Sequence, residues 1–251
     1  MKGVFKTDQG QVRNHNEDSG GIFYNRDGEL LAIVADGMGG HQAGDVASQM
    51  ATTFVQEKWE KTEAFSSPEA IETWMNEMVA DMNAAILRHS QEHEECAGMG
   101  TTAVMAVCTD AYAVISHIGD SRCYVWKENG LHQVTEDHSL VNELVRSGQI
   151  TKDEAEEHPR KNVLLKALGT EEHAAADVQT IEWGAGNKLL LCSDGLTNKL
   201  PDDEMETYLQ KQLASDVMAE ELISLANERG GEDNISVIIL EHDSSAEAGD
   251  T

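Results

Sequence analysis

Two apolar runs in this chain end alike, Leu31-Ala32-Ile33-Val34-Ala35-Asp36-Gly37 and Leu189-Leu190-Leu191-Cys192-Ser193-Asp194-Gly195. Each delivers an aspartate at the C-terminal edge of a strand, followed by a glycine. A third run closes on Ile118-Gly119-Asp120, Asp233 stands just before a last apolar run, and Asp18 follows Asn14-His15-Asn16-Glu17. If these ends converge, they form a ring of carboxylates that repel one another at neutral pH. Such a ring needs cations, and carboxylates with water and a backbone carbonyl suit hard six-coordinate ions, Mg²⁺ or Mn²⁺. Gly37 lets the backbone turn so that a carbonyl faces the same ion. Two such ions about 3.5–4 Å apart form a phosphoryl-transfer device. Arg13, four residues before Glu17, is the nearby cation, and a guanidinium can fork onto two phosphate oxygens. A single Asp-Gly is usually only a turn; several at strand edges carry the argument.

The elements that must position these residues are readable from periodicity. Short apolar or alternating runs at 4–6, 21–24 and 30–35 predict strands. Helical spacing predicts helices at 43–60, with Val46, Met50 and Phe54 on one side, and at 68–88, opened by Pro68. Strands return at 101–108, 111–118, 123–127 and 131–134, an antiparallel meander divided by Thr109-Asp110 and Asn129-Gly130. Residues 137–166 are polar, helical around 140–147 and broken by Gly148 and Pro159, so they read as a mobile excursion. Strands at 178–182, 188–192 and 235–241 and helices at 202–212 and 215–229 complete the pattern. Paired helices alternating with blocks of strands, without βαβ units, predict sheets packed on each other with helices outside. One domain is expected over 1–243, with a frayed tail at 244–251.

Composition narrows the function. Lys and Arg number 18 against 46 Asp and Glu, a formal charge of −28. That excludes nucleic acid and anionic membrane as natural partners, since both are polyanions. Most of the acidity reads as a solvated surface. Cys96, Cys108, Cys123 and Cys192 lack C-x-x-C spacing and read as buried thiols. No apolar stretch has the length or flanks of a membrane span or signal peptide, so the chain is expected in the cytoplasm.

Six segments, taken in order, resemble the motif set of the PP2C-type metal-dependent protein serine/threonine phosphatases in their bacterial branch. They are Arg13-Asn14-His15-Asn16-Glu17-Asp18-Ser19, Val34-Ala35-Asp36-Gly37-Met38-Gly39-Gly40-His41, Met99-Gly100-Thr101-Thr102, Ile118-Gly119-Asp120-Ser121-Arg122, Leu191-Cys192-Ser193-Asp194-Gly195-Leu196-Thr197 and Gly231-Glu232-Asp233-Asn234-Ile235-Ser236. The resemblance runs from residue 8 to about 240 and implies an α+β fold, an αββα sandwich of two central antiparallel sheets flanked by helices. It implies hydrolysis of phosphoserine and phosphothreonine in proteins by a water bridging two Mn²⁺ or Mg²⁺ ions. Asp36 then resembles the ligand shared by both metals, with the Gly37 carbonyl, Asp194 and Asp233 completing one of them. Asp18 is similar to the remaining carboxylate near the pair, held through water with Glu17 alongside, and Asn234 supports Asp233. Asp120 with Asp194 resembles a third metal site, and Arg13 matches the phosphate-gripping arginine. Eukaryotic members typically carry histidine where Met38 stands; here His41 follows three residues later, leaving His41 or a metal-bound water as proton donor. The excursion at 137–166 corresponds to the flap of bacterial members.

Rival functions fit less well. Gly37, Gly39 and Gly40 do not complete G-x-G-x-x-G, because Gln42 takes the last position, and Asp36 would face a pyrophosphate as a like charge. There is no G-x-S-x-G elbow, and His89, His93, His132, His138, His158 and His173 read as surface residues. A non-catalytic phosphatase-like regulator that binds phosphoprotein is the alternative, though it has no need of the full carboxylate set and Arg13. Expected partners are phosphoserine and phosphothreonine proteins, a Ser/Thr kinase among them, and the chain is expected to act as a monomer.

Overall fold

The computed structural model describes residues 1–40 and 43–242. Strands β1 (Lys2–Asp8), β2 (Asp18–Tyr24) and β3 (Leu30–Met38) open the chain, followed by helices α1 (Ala43–Trp59) and α2 (Pro68–Glu92). A meander follows: β4 (Gly100–Thr101), β5 (Ala103–Cys108), β6 (Tyr112–Ile118), β7 (Arg122–Lys127) and β8 (Gly130–Gln133). Two short helices, α3 (Leu140–Arg146) and α4 (Lys152–Glu156), lie in the excursion that precedes β9 (Asp177–Glu182) and β10 (Lys188–Cys192). Helices α5 (Asp194–Thr197), α6 (Asp202–Leu209) and α7 (Ser215–Glu228) lead to β11 (Ile235–Glu241).

The strands form two antiparallel sheets, ordered β1-β11-β10-β7-β8 and β2-β3-β5-β6-β9, with β4 paired to β3. Alternation along β3 shows how they stack. Leu30, Ala32 and Val34 point to a core shared with Leu189, Leu191, Ile238 and Leu240 of the other sheet. Leu31, Ile33 and Ala35 point the opposite way, under α1 and α2. On the far side, Leu190, Cys192, Val237 and Ile239 meet α6 and α7. A period of two therefore puts each sheet between the other sheet and a helical layer, the αββα sandwich.

Several elements differ from the sequence reading. The core side of α1 is Ala43, Ala47, Ala51, Val55 and Trp59, whereas Val46, Met50 and Phe54 are only partly buried. Small side chains let α1 approach its sheet closely, so the larger residues move to its flank. The strand expected over 101–108 is broken at Thr102, whose N–H bonds to the Asp36 carbonyl at 2.9 Å instead of continuing the ladder. Helix α4, absent from the sequence reading, is held by a capping box between Thr151 and Glu154. All four cysteines are buried and free. The expected tail at 244–251 lies outside the described residues.

Candidate active site

The site sits at one end of the space between the sheets. Continuing the inward series Leu30, Ala32, Val34 brings Asp36 to that end, and the β2–β3 register places Asp18 directly opposite it. Asp120 follows the end of β6, Asp194 opens α5 after β10, and Asp233 precedes β11. Antiparallel pairing of β10 with both β7 and β11 brings these three strand ends to the same edge.

This convergence has electrostatic consequences. Burial, with the charges of Asp194 and Asp233, pushes Asp18 up to about 7, although Ser236 and Ser193 pull against it. Burial and the charges of Asp18, Asp194, Asp120 and Asp233 hold Asp36 well above the ordinary carboxylate range. Asp194 is raised by burial and by the charge of Asp233, with Asp36 and Asn198 pulling against the rise. Asp120 reaches about 7 through burial, Asp194 and Asp137. Each carboxylate is thus perturbed by others of the set, as mutual repulsion in a poorly solvated site requires. Asp18 is buried, while Asp36, Asp120 and Asp194 keep partly exposed faces toward the opening.

The surrounding hydrogen bonds fix this ring in place. Asp36 N–H donates to Thr102 Oγ1 at 3.0 Å, its carbonyl accepts from Thr101 Oγ1 at 2.9 Å, and Thr102 and Ser121 hydroxyls meet at 2.7 Å. Ser193 Oγ donates to Asp18 Oδ2 at 2.7 Å and accepts from Ser236 N–H at 2.9 Å. These hydroxyl residues lie within the sequence motifs, and each ties one carboxylate-bearing segment to the next. Asn234 does the same for the N-terminal loop. Its Oδ1 accepts from Glu17 N–H at 2.8 Å, and its Nδ2 donates to the carbonyls of Gln9 and His15 at 2.8 and 2.9 Å.

Gly37 packs against Gly44 at the start of α1, where an added Cβ would overlap the Gly44 carbonyl oxygen and approach the Glu17 carbonyl oxygen at 2.6 Å. Glu17 is partly buried beside this crossing, which raises its carboxyl. Arg13 lies at the exposed rim, its Nη2 donating to Asp233 Oδ2 at 2.7 Å, while Asp233 Oδ1 accepts from Asn234 N–H at 2.9 Å. His41 lies outside the described residues. From Asp120 and Asp194 a cleft of about 1190 Å³ opens between the excursion and the α5–α6 segment, lined by Val141, Lys161, Lys199 and Asp202 among others.

The donor set fits a hard divalent cation. Asp18 Oδ1 and Asp194 Oδ1 are buried without a hydrogen-bond partner, and unpaired buried carboxylate oxygens are costly unless a cation meets them. The oxygens offer neither thiolate nor clustered imidazole, so Mn²⁺ or Mg²⁺ suits them better than Zn²⁺. His117, His138 and Asp177 also bring ligand atoms within 4.8 Å of one another. There, however, His138 Nδ1 accepts Gly119 N–H at 3.2 Å, which leaves the proton of the neutral ring on Nε2. Lys166 Nζ, 3.3 Å from both His138 Nε2 and Asp177 Oδ1, already supplies the positive charge. His138 is therefore no surface residue; its side chain is 9% exposed.

Known proteins resemble this chain in sequence and fold. The chain is 46% identical over 243 residues to the serine/threonine phosphatase stp of Listeria monocytogenes serotype 4b, covering 97% of this chain and 96% of that protein. The crystal structure of serine/threonine phosphatase Stp1 from Staphylococcus aureus superposes with a TM-score of 0.92 at 38% identity, covering 97% of this chain and 95% of that one. The catalytic domain of PstP, a serine threonine protein phosphatase crystallised with two manganese ions, superposes with a TM-score of 0.82 at 32% identity, over 95% and 96% of the two chains. The protein phosphatase 2C pattern matches residues 8–231. With the two-sheet sandwich and the carboxylate ring at its edge, these likenesses establish that the chain belongs to the protein phosphatase 2C family and is a protein phosphatase.

Proposed function

We propose that the enzyme hydrolyses phosphoserine and phosphothreonine in proteins, using two Mn²⁺ or Mg²⁺ ions held by Asp36, Asp194, Asp233 and the Gly37 carbonyl, with Asp18 beneath them. The observation that carries this reading is the set of buried, mutually repelling carboxylates with orphaned oxygens on Asp18 and Asp194. When bound, such ions lower the pKa of a water between them and screen the charge on the phosphoryl oxygens.

The chain's own residues supply the rest. Asp36 stands among the carboxylates that perturb it and would be the ligand shared by both ions. Arg13, half exposed at the rim, forks onto the phosphate oxygens of the substrate, with Asp233 orienting its guanidinium. Glu17 and Asn234 act indirectly, by fixing the loop that carries Asp18 against the loop that carries Asp233. Asp120 with Asp194 would hold a third ion, and the proton for the leaving serine or threonine oxygen would come either from His41 or from water in that region. The phosphoprotein segment enters along the cleft below the flap at 137–166. A non-catalytic regulator is not favoured, because the carboxylates and Arg13 are intact.

We read residues 1–243 as one catalytic domain, acting as a monomer in the cytoplasm against a Ser/Thr protein kinase. Among the described residues no helix is long and apolar enough to cross a membrane, and the charge of −28 favours neither anionic lipid nor nucleic acid. Turnover of phosphoserine and phosphothreonine peptides before and after exhaustive EDTA treatment tests the proposal. Activity should vanish with chelation and return with Mn²⁺ or Mg²⁺ but not Zn²⁺; full activity in EDTA would refute it.

A further inference from the structure

Gly119, which immediately precedes Asp120, has a positive φ of 104°, and a Cβ there would meet Thr102 Cγ2 at 2.5 Å. Its turn needs external support, and both of its backbone polar groups go to one residue. Gly119 N–H donates to His138 Nδ1 at 3.2 Å, and His138 N–H donates to the Gly119 carbonyl at 2.9 Å. The other side of His138 holds the flap. Its carbonyl accepts Leu165 N–H at 2.7 Å, closing the base of the excursion, where Ser139 bridges Leu164. Its Nε2 lies 3.4 Å from Asp177 Oδ2 and 3.3 Å from Lys166 Nζ. Its ring stacks on His117, with centroids 4.7 Å apart and planes 12° from parallel. Beside it, Arg122 grips Asp137 through two hydrogen bonds of 2.9 and 2.8 Å.

We propose that His138 is a positioning residue that fixes the Gly119–Asp120 turn and couples it to the base of the flap. The two ring nitrogens divide the work. Nδ1 acts as an acceptor toward the Asp120 turn, and Nε2–H faces Asp177 Oδ2 at 3.4 Å beside the last residue of the flap. Burial, with His117 and Lys166 nearby, lowers the pKa of His138, which keeps the ring neutral so that Nδ1 retains its lone pair. Displacing a flap end thus displaces the backbone that presents Asp120 to its cation. Binding of a phosphoprotein under the flap and cation occupancy at Asp120 are thereby linked, and by reciprocity each strengthens the other. This inference rests on the reading of Asp120 as a cation ligand.

Two side chains separate the functions of the ring, since Asn places an amide oxygen near the Nδ1 position and Gln places its amide near Nε2. The test compares His138→Asn, His138→Gln and Asp120→Asn by Mn²⁺ calorimetry, melting temperature and protease cleavage of the flap at Lys152 and Lys161. Asp120→Asn should lose one Mn²⁺ per chain. His138→Gln should weaken that same Mn²⁺ by about tenfold, the effect of losing roughly one hydrogen bond. His138→Asn should bind Mn²⁺ as the wild type does yet be cleaved faster in the flap. Equal Mn²⁺ binding in the Asn and Gln variants overturns the positioning role even if both are less stable. Unchanged Mn²⁺ stoichiometry in Asp120→Asn instead overturns the ligand reading beneath it, and the two failures are therefore distinguishable.

Discussion

Asp18 and Asp36 face one another directly across the antiparallel β2–β3 pair, two carboxylates at a position where opposite residues share one face of a sheet. Like charges so placed destabilise a sheet, and here burial adds to the cost. The arrangement is unfavourable for the bare fold and suited to a fold that holds cations. Removing one carboxylate should therefore separate stability from function. Asp36→Asn is expected to raise the melting temperature of EDTA-treated protein while lowering kcat by about 10³-fold or more in excess Mn²⁺. Thermal melts with and without metal, alongside phosphopeptide turnover, check both halves.

The raised carboxyls set a pH dependence. Asp18 and Asp120 each rise from 3.8 to about 7 in the folded, metal-free protein. The folded state then binds more protons than the unfolded chain, so this contribution to stability is fully present below about pH 3.8 and is lost as pH climbs through about 7. Metal binding needs the deprotonated groups and runs the other way. The melting-temperature gap between Mn²⁺-loaded and chelated protein should widen from pH 5 to pH 8. Calorimetry at pH 6 in buffers of different ionisation enthalpy should register proton release on Mn²⁺ binding, and a constant gap with no release would contradict the assignment.

Arg13 is held to Asp233 at 2.7 Å yet is half exposed, so it can turn part of its fork toward a substrate phosphate. Arg13→Ala is expected to raise KM for a phosphopeptide by about tenfold with a smaller fall in kcat, since a grip formed in the ground state contributes mostly uniform binding. Mn²⁺ affinity should not fall, because Asp233 loses a competitor for its oxygen. An unchanged KM would place Arg13 outside substrate binding.

The Gly37–Gly44 crossing admits no side chain, whereas a Cβ at Gly40 would meet nothing within 4 Å. Gly37→Ala should cost about 1–3 kcal/mol through overpacking and disturb the carbonyl offered to the metal. Gly40→Ala serves as the control. Chemical denaturation of both variants should give a marked loss for the first and near wild-type stability for the second.

What the sequence by itself determined is local. The apolar run Leu30–Ala35 marks a strand that ends on Asp36 from residue types alone, but both of its faces are apolar, so only packing assigns Asp36 to the inter-sheet face. Helix α2 is legible in the same local way, through its apolar spacing and its start at Pro68. The six ordered motifs identified the family for the same reason, because each is a short segment whose residues act together.

Tertiary structure decided everything that depends on segments far apart in the chain. Only the order β1-β11-β10-β7 brings Asp194 and Asp233 to the edge where Asp36 lies, and only burial beside Asp233 raises the carboxyl of Asp194. Val46, Met50 and Phe54 carried the apolar signal of α1, but the sheet admitted its alanine face, since packing distance rather than hydrophobicity selected the contact. His138 looked like a surface histidine in a polar stretch. Its neighbours Gly119 and Asp177 lie 19 and 39 residues away in sequence, so no local pattern could reveal that its two ring nitrogens join the Asp120 turn to the flap. Backbone periodicity is a property of consecutive residues, whereas a site is made by contacts between strands that the chain reaches only after long excursions.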